Sequence, residues 1–283
     1  MKRINATPYL LTAPGVLFFS ALLGAPMVMT LLLSLHSYDY TLGIQDDWTL
    51  ANYLDVFTDS YFYVIFGRTL GLSLLVTVLC ILIGAPEAYI LSRMRNPWRS
   101  IFLLVVLGPL LVSVVVRTLG WAILFGGNGL LAKTTAALGL GEVSLMYTMT
   151  GMTVALVHVL VPFMVIPVWA SLQKMDPQSE DAALTLGASP FTVIRRITLP
   201  QITPGILSGS IICFALTAAA FATPSIIGGR RMKVVATMIY DEYKNTLNWP
   251  MGATLAALLL FANIVIITSA NRLVERRFAK VFE

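Results

Sequence analysis

The sequence predicts an all-α polytopic membrane protein, and three observations support this fold class. Of the 283 residues, 57% are hydrophobic and only 12% are charged, whereas soluble globular chains carry roughly 25% charged residues. The apolar residues occur in long runs with few charges, and runs of about 20 apolar residues can cross a bilayer as helices. Little length remains for another domain, so we expect residues 1–283 to form a single transmembrane domain.

Six apolar runs predict about six transmembrane helices. They cover residues 9–35, 63–90, 101–125, 149–172, 203–227 and 251–270. The first run is longer than the apolar core of a secretory signal peptide, so we interpret it as an uncleaved helix. Most of the 19 Lys and Arg residues lie in the loops on one side of this arrangement. The positive-inside rule therefore predicts that this side and both termini face the cytoplasm.

Prolines and glycines within the runs predict kinks and close helix contacts. Each proline removes a backbone donor and can kink its helix; the prolines are Pro86, Pro109, Pro162, Pro167 and Pro224. In the fifth run, Gly205 and Gly209 form a small-residue face that permits close approach of another helix.

Residues 173–202, between the fourth and fifth runs, form a cytoplasmic loop that we call the signature loop. Asp176 and Ser189 are typical N-cap residues, and each precedes a proline that suits the first position of a helix. Gly187 suits the turn that ends the first of two short helices, and Pro200 is expected to end the second. The loop contains more apolar residues than an isolated connector needs, which indicates a docking surface.

The signature loop carries a recognisable pattern. Asp181-Ala182-Ala183 is followed after three residues by Gly187, and after nine more by Ile197-Thr198-Leu199-Pro200. This pattern resembles the signature of ABC importer permeases, with Asp181 in place of the usual Glu. The resemblance implies that the loop is a coupling element that docks on a cytoplasmic ATPase. The coupling residues that it implies are Glu180, Asp181, Ala182, Ala183, Gly187, Ile197, Leu199 and Pro200.

Further segments resemble the spermidine/putrescine-type branch of this family; they are residues 116–121, 127–131, 221–229, 240–242 and 248–252. The resemblance implies import of a small polar solute, either a polyamine-like cation or an opine or other small metabolite. It also implies a multi-pass subunit of the bacterial inner membrane. Its partners would be an ATPase dimer, a second related permease, a periplasmic binding protein and the lipid bilayer. Nucleic acid is not expected, because basic cytoplasmic loops account for the net charge of +5.

No catalytic motif is apparent in the sequence. It lacks the Gly-Lys-Ser/Thr phosphate loop, a metal-ligand cluster and a nucleophile triad. We therefore expect a non-catalytic subunit that binds no cofactor or metal itself, with ATP and Mg²⁺ held by the separate ATPase.

One alternative is an ion-gradient-driven secondary transporter, which would show repeated halves and broken helices at matching positions. A membrane-embedded enzyme would need polar residues converging at one depth. The sequence gives no sign of either.

Polar residues inside the runs are candidates for the solute path, because ionisable groups in hydrocarbon usually face a cavity or a partner. The candidates are Glu87, Arg117 and Asn263. Each has a structural alternative, namely pairing or bridging between helices. Glu87 is also close enough to Arg93 in sequence for both side chains to reach towards the interface. His158 is expected to be a hydrogen-bonded packing residue.

Overall fold

The computed structural model describes residues 7–282, with side chains described over residues 11–176 and 178–272. Its helices are α1 (Thr7–Leu33), α2 (Ala51–Thr58), α3 (Ser60–Arg93), α4 (Trp98–Leu111), α5 (Val114–Phe125), α6 (Leu130–Ala137), α7 (Met149–Leu172), α8 (Pro177–Thr185), α9 (Pro190–Val193), α10 (Leu199–Ala218), α11 (Val235–Asp241) and α12 (Trp249–Phe282). Three π-helical turns cover Ile194–Thr198, Pro224–Gly228 and Glu242–Thr246. Strands β1 (Tyr38–Asp39) and β2 (Gly43–Ile44) form a small antiparallel hairpin.

Six helical stretches are long and apolar enough to cross a bilayer. They are Leu11–Leu33, Ser60–Arg93, Val114–Ala137, Met149–Leu172, Pro190–Ala218 and Trp249–Arg272. The predicted all-α class and the number of spans are therefore confirmed. The fourth predicted run coincides with α7 at both ends. The orientation of the termini relative to the membrane stays a prediction.

Two predicted runs are not single helices. The run 101–125 is divided into α4 and α5, because Pro109 lies in the last turn of α4 and Val112 adopts an extended conformation. A proline that removes a backbone donor commonly ends a helix in this way. The run 203–227 is also interrupted, since α10 ends at Ala218 and a π-helical turn begins at Pro224. Each interruption divides a run that the sequence predicts as one span, and each lies close to a proline, Pro109 or Pro224, at which the sequence predicts a kink.

Pro200 does not end a helix, contrary to the expectation from sequence. The chain is helical from α9 through the π-helical turn Ile194–Thr198 into α10. In this turn the Leu199 N–H donates to the carbonyl of Ile194, five residues earlier. We attribute the continuity to this wider turn, because a proline ring normally clashes with the carbonyl four residues before it. Elsewhere, α3 and α7 also continue through their internal prolines.

The chain divides into two units, of which the larger comprises Val64–Thr237 and Phe261–Glu283. Its centre is α7, where Met164 is fully buried. A Cβ added at Gly84 of α3 would lie 2.9 Å from Met164 Cγ, and one at Gly209 of α10 would lie 2.7 Å from Met164 Sδ. A Cβ at Gly205 would lie 2.5 Å from the carbonyl oxygen of Pro167. The predicted close approach at Gly205 and Gly209 is therefore confirmed, with α7 as the neighbour.

The smaller unit comprises Met1–Tyr63 and Met238–Leu260, and polar contacts hold the end of α1 within it. Ser34 is fully buried. Its carbonyl accepts from Asn52 Nδ2 of α2 at 3.1 Å and from Thr254 Oγ1 of α12 at 3.2 Å. Its hydroxyl is hydrogen-bonded to Tyr53 OH at 2.7 Å. These bonds satisfy backbone and hydroxyl groups at the end of an apolar helix.

The glycine contacts give a prediction about stability. Gly205→Ala should lower the melting temperature in detergent, because the new methyl group overlaps the Pro167 carbonyl and overpacking costs about 1–3 kcal/mol. Gly71→Ala in α3 is the matched control, since its added Cβ meets nothing within 4 Å. Alanine is also the better helix former, so this control should be neutral or slightly stabilising. Equal melting temperatures for the two variants would contradict the proposed close packing.

Candidate functional site

The two short helices of the signature loop are confirmed, together with their caps. The Asp176 carboxylate accepts from the Gln178 N–H at 3.0 Å, and α8 begins directly afterwards. Gly187 has a φ of 84° after α8, a left-handed conformation that glycine adopts without strain. The Ser189 hydroxyl accepts from the Thr192 N–H at 3.3 Å and caps α9. Local sequence therefore encodes the shape of this loop.

A buried carboxylate connects the signature loop to α3. Glu180 is only 5% exposed. Its Oε2 is paired with Arg93 Nη2 at the end of α3, and its Oε1 accepts from Thr198 Oγ1 at 2.7 Å. Both carboxylate oxygens thus have partners, and one carboxylate joins α3, α8 and the turn before α10. Arg93 therefore reaches Glu180 and not Glu87, a long-range pairing that the sequence did not reveal.

The surface of the signature loop that points away from the transmembrane helices exposes apolar side chains. Leu186 is 89% exposed and Phe191 is 72% exposed, one on each side of Gly187. Leu186 and Phe191 are not among the predicted coupling residues. Of those that are, Asp181, Ala182, Gly187 and Leu199 are exposed, whereas Ala183, Ile197 and Pro200 are half-buried. Glu180 thus differs from the exposed coupling residues, because its buried carboxylate contacts α3 and the turn before α10 while they remain accessible.

Glu87 lines a cavity of about 530 Å³ bounded by α3, α4, α5 and α7, which we call the Glu87 cavity. Its other polar lining side chains are Trp121, Thr153 and His158. Trp121 Nε1 donates to His158 Nδ1 at 3.2 Å. The expected hydrogen bond of His158 is therefore present, but the imidazole faces this cavity. Sequence reasoning missed this grouping, because its members lie on helices far apart in the chain.

Arg117 lines a second cavity, of about 320 Å³, together with residues of α4, α7 and the interruption after α10. Its Nε and Nη1 atoms are buried and have no hydrogen-bond partner in the part of the chain that the structure describes. Thr118 on the same helix is hydrogen-bonded to Thr223 in that interruption at 3.1 Å.

Asn263 Oδ1 is likewise buried without a described partner. Asn263 lines neither cavity, so the structure does not bring the three path candidates together.

Comparison with known proteins identifies the family. Residues 78–280 match the family described as "Binding-protein-dependent transport system inner membrane component". The chain belongs to this family. The permease is 28% identical to the spermidine/putrescine transport system permease protein PotB of Haemophilus influenzae, over 81% of this chain and 82% of that protein. It is 34% identical to the molybdenum transport system permease protein ModB of Mycobacterium bovis, over 65% of this chain and 69% of that protein.

Solved structures agree with this fold. A chain of a bacterial alginate ABC transporter, in complex with an alginate-bound periplasmic protein, superposes with a TM-score of 0.78 at 19% identity, over 96% of this permease and 95% of that chain. A chain of the methionine ABC transporter MetNI gives a TM-score of 0.58 at 16% identity, over 77% of this permease and 99% of that chain. The protein is a permease subunit of an ABC importer in the inner membrane. The family excludes the secondary-transporter alternative, even though two apolar runs are interrupted.

The buried carboxylate gives a second prediction. Arg93→Ala should loosen the signature loop, because it leaves the Glu180 carboxylate buried without its cation, at a cost of about 1–3 kcal/mol. Hydrogen exchange of the α8 amides should then accelerate at least about ten-fold. The control is Arg95→Ala, which removes an exposed arginine two positions away. The double variant Arg93→Ala/Glu180→Gln should recover part of the protection, since it removes the unpaired charge. Unchanged exchange in Arg93→Ala would show that the pair does not hold the loop.

Proposed function

We propose that this permease conducts a small polar solute, a polyamine-like cation, from a periplasmic binding protein to the cytoplasm, driven by a separate ATPase. The observation that carries the proposal is the signature loop, which is anchored internally by Glu180 while Leu186 and Phe191 face outwards. An apolar surface of this kind on a firmly held helical loop is suited to insertion into a groove of a partner. Docking of that surface on an ATPase accounts for the exposure of Leu186 and Phe191.

The anchoring also supplies a route for movement. Glu180 contacts Arg93 of α3 and Thr198 of the turn that leads into α10. A displacement of the docked loop would therefore move two transmembrane helices directly. Coupling of this type needs discrete packed contacts between the moving elements, and these contacts provide them. We assign Asp181, Ala182 and Leu199 to the accessible side of this coupling element.

The partners follow from the same arrangement. The most apolar window of the first span, Leu11–Leu33, has none of its residues buried within the chain, so this helix is available to lipid or to a second, related permease. We propose a heterodimer of permeases on an ATPase dimer, with the signature loop and both termini in the cytoplasm. ATP and Mg²⁺ belong to the ATPase, and this chain binds no cofactor and performs no catalysis. Nucleic acid has no role in it.

The solute class rests on the relatives and on the charges within the membrane. The spermidine/putrescine permeases that this chain resembles suggest a cation, and the Glu87 carboxylate suits one. We place Glu87, Arg117 and Asn263 on or near the solute path. The Arg117 cavity favours a second candidate, because a guanidinium with two unpartnered nitrogens suits a carboxylate. An opine or another carboxylate-bearing metabolite would supply that group.

Affinity purification of the tagged permease from its host in mild detergent tests the function. The wild type should recover an ATPase and a second six-span subunit. Gly187→Val should reduce ATPase recovery at least about ten-fold, since a β-branched residue is strained at a φ of 84°. Gly187→Asn is the control and should retain the ATPase, because Asn tolerates this conformation. Absence of an ATPase from the wild type, or full recovery with Gly187→Val at normal protein level, would overturn the proposal.

The docking surface can be tested separately. Leu186→Glu places a charge on the proposed apolar contact and should release the ATPase during purification, because charges are disfavoured at the core of an interface. Leu140→Glu is the control, since Leu140 is also highly exposed, at 72%, and lies outside the signature loop. Immunoblotting of the purified fractions measures the ratio of ATPase to permease. Equal ratios for the two variants would contradict docking through Leu186.

A further inference from the structure

We infer that the Glu87 cavity is a binding site for the ammonium group of a monocationic amine, and that such an amine is the transported solute. This inference rests on the import function proposed above and departs from its solute in one respect. The amine carries one positive charge on an apolar body, whereas a polyamine carries two or more. It is carried by the charges, the hydrogen bonds and the volume of the cavity.

The Glu87 carboxylate has no cationic partner over the described residues. Arg93, the arginine nearest to it on α3, is engaged with Glu180. Glu87 is half-buried and borders a cavity whose lining is otherwise mostly apolar. An ionised carboxylate in such surroundings is costly unless a cation neutralises it. A ligand with an ammonium group would supply that cation.

The remaining polar groups of the cavity are largely occupied. The Trp121 N–H donates to His158 Nδ1, and the Thr153 hydroxyl donates to the Met149 carbonyl at 2.8 Å. Trp121 therefore lines the cavity without a free donor, and we infer that a ligand would meet its ring. Phe125 lies 4.9 Å from the Trp121 ring, centroid to centroid, and holds the indole in place. A tryptophan face attracts an organic cation beyond its apolar contact, so it complements the carboxylate.

The single carboxylate of the cavity lining favours a ligand with one ammonium group. Among the described residues that line the cavity, Glu87 is the only acidic one, and its neighbours there include Ile83, Val105 and Val157. The second ammonium of a diamine would have to leave water without meeting another carboxylate, which is costly. An amine with one charge places it on Glu87 and its carbon chain against the apolar lining.

The size of the cavity agrees with a small ligand. Small-molecule sites are typically about 300–1,000 Å³ and mostly apolar, with a few polar groups that fix orientation. The Glu87 cavity, at about 530 Å³, lies within this range and has one charged group. His158 is the other polar group available to a ligand. With Nδ1 accepting from Trp121, its neutral ring carries the proton on Nε2 and can donate to an oxygen of the solute.

The test compares n-butylamine with putrescine, which have the same four-carbon chain and differ by one ammonium group. Binding to the full-length permease in lipid nanodiscs is measured from the tryptophan fluorescence that is lost in Trp121→Phe. Butylamine should bind at least about ten-fold more tightly than putrescine. Glu87→Gln should weaken butylamine binding at least about ten-fold, because the amide keeps the shape of the side chain without its charge. Glu142→Gln, in an exposed loop, is the matched control and should change nothing.

Two results would overturn the inference. Glu87-dependent binding in which putrescine is as tight as butylamine would contradict the single-ammonium class. Butylamine binding that is absent, or unchanged in Glu87→Gln, would contradict the site. Recovery of the ATPase with Glu87→Gln checks that this variant is folded, and Glu87→Asp should retain part of the binding because it keeps the charge. Failure of the amine tests with normal ATPase recovery by the wild type would reject this inference alone, whereas absence of the ATPase would reject the proposed function.

Discussion

The close packing of α7 against α3 and α10 around Met164 is the contact on which the rest of the larger unit depends. Lipid tails are as apolar as side chains, so helices within a bilayer gain little from hydrophobic burial alone and associate through close packing of small residues. Gly84, Gly205 and Gly209 provide that packing here. The Glu87 cavity and the Arg117 cavity both use residues of α7, and the signature loop begins where α7 ends. The position of this helix therefore determines the geometry of all three.

The Glu180 carboxylate extends this organisation beyond the apolar core. A buried carboxylate is unfavourable unless its oxygens are paired and hydrogen-bonded, and Arg93 and Thr198 meet that requirement. Their positions link the loop to the end of α3 and to the start of α10. The same contact that satisfies a buried charge therefore connects the loop directly to two transmembrane helices.

Unpaired charges distinguish the two cavities from the packed core. Glu87 and Arg117 both lie within apolar helices, where an isolated charge is expensive, and each faces a cavity instead of a described partner. Buried packing residues such as Cys80 and Cys213 are fully enclosed by contrast. A charged side chain without a partner in the protein is suited to reversible ligand binding, because an intramolecular ion pair would compete with the ligand.

The sequence by itself determined the features that depend on neighbouring residues. Apolar runs gave the number of spans and the limits of α7, and Asp176, Gly187 and Ser189 gave the turns of the signature loop, because caps and left-handed turns are local interactions. Tertiary structure decided the pairing of Arg93 with Glu180, 87 positions apart, and the meeting of Glu87 with Trp121 and His158 at one cavity. These features arise from contacts between helices. No local pattern specifies which residues from distant helices will face one another.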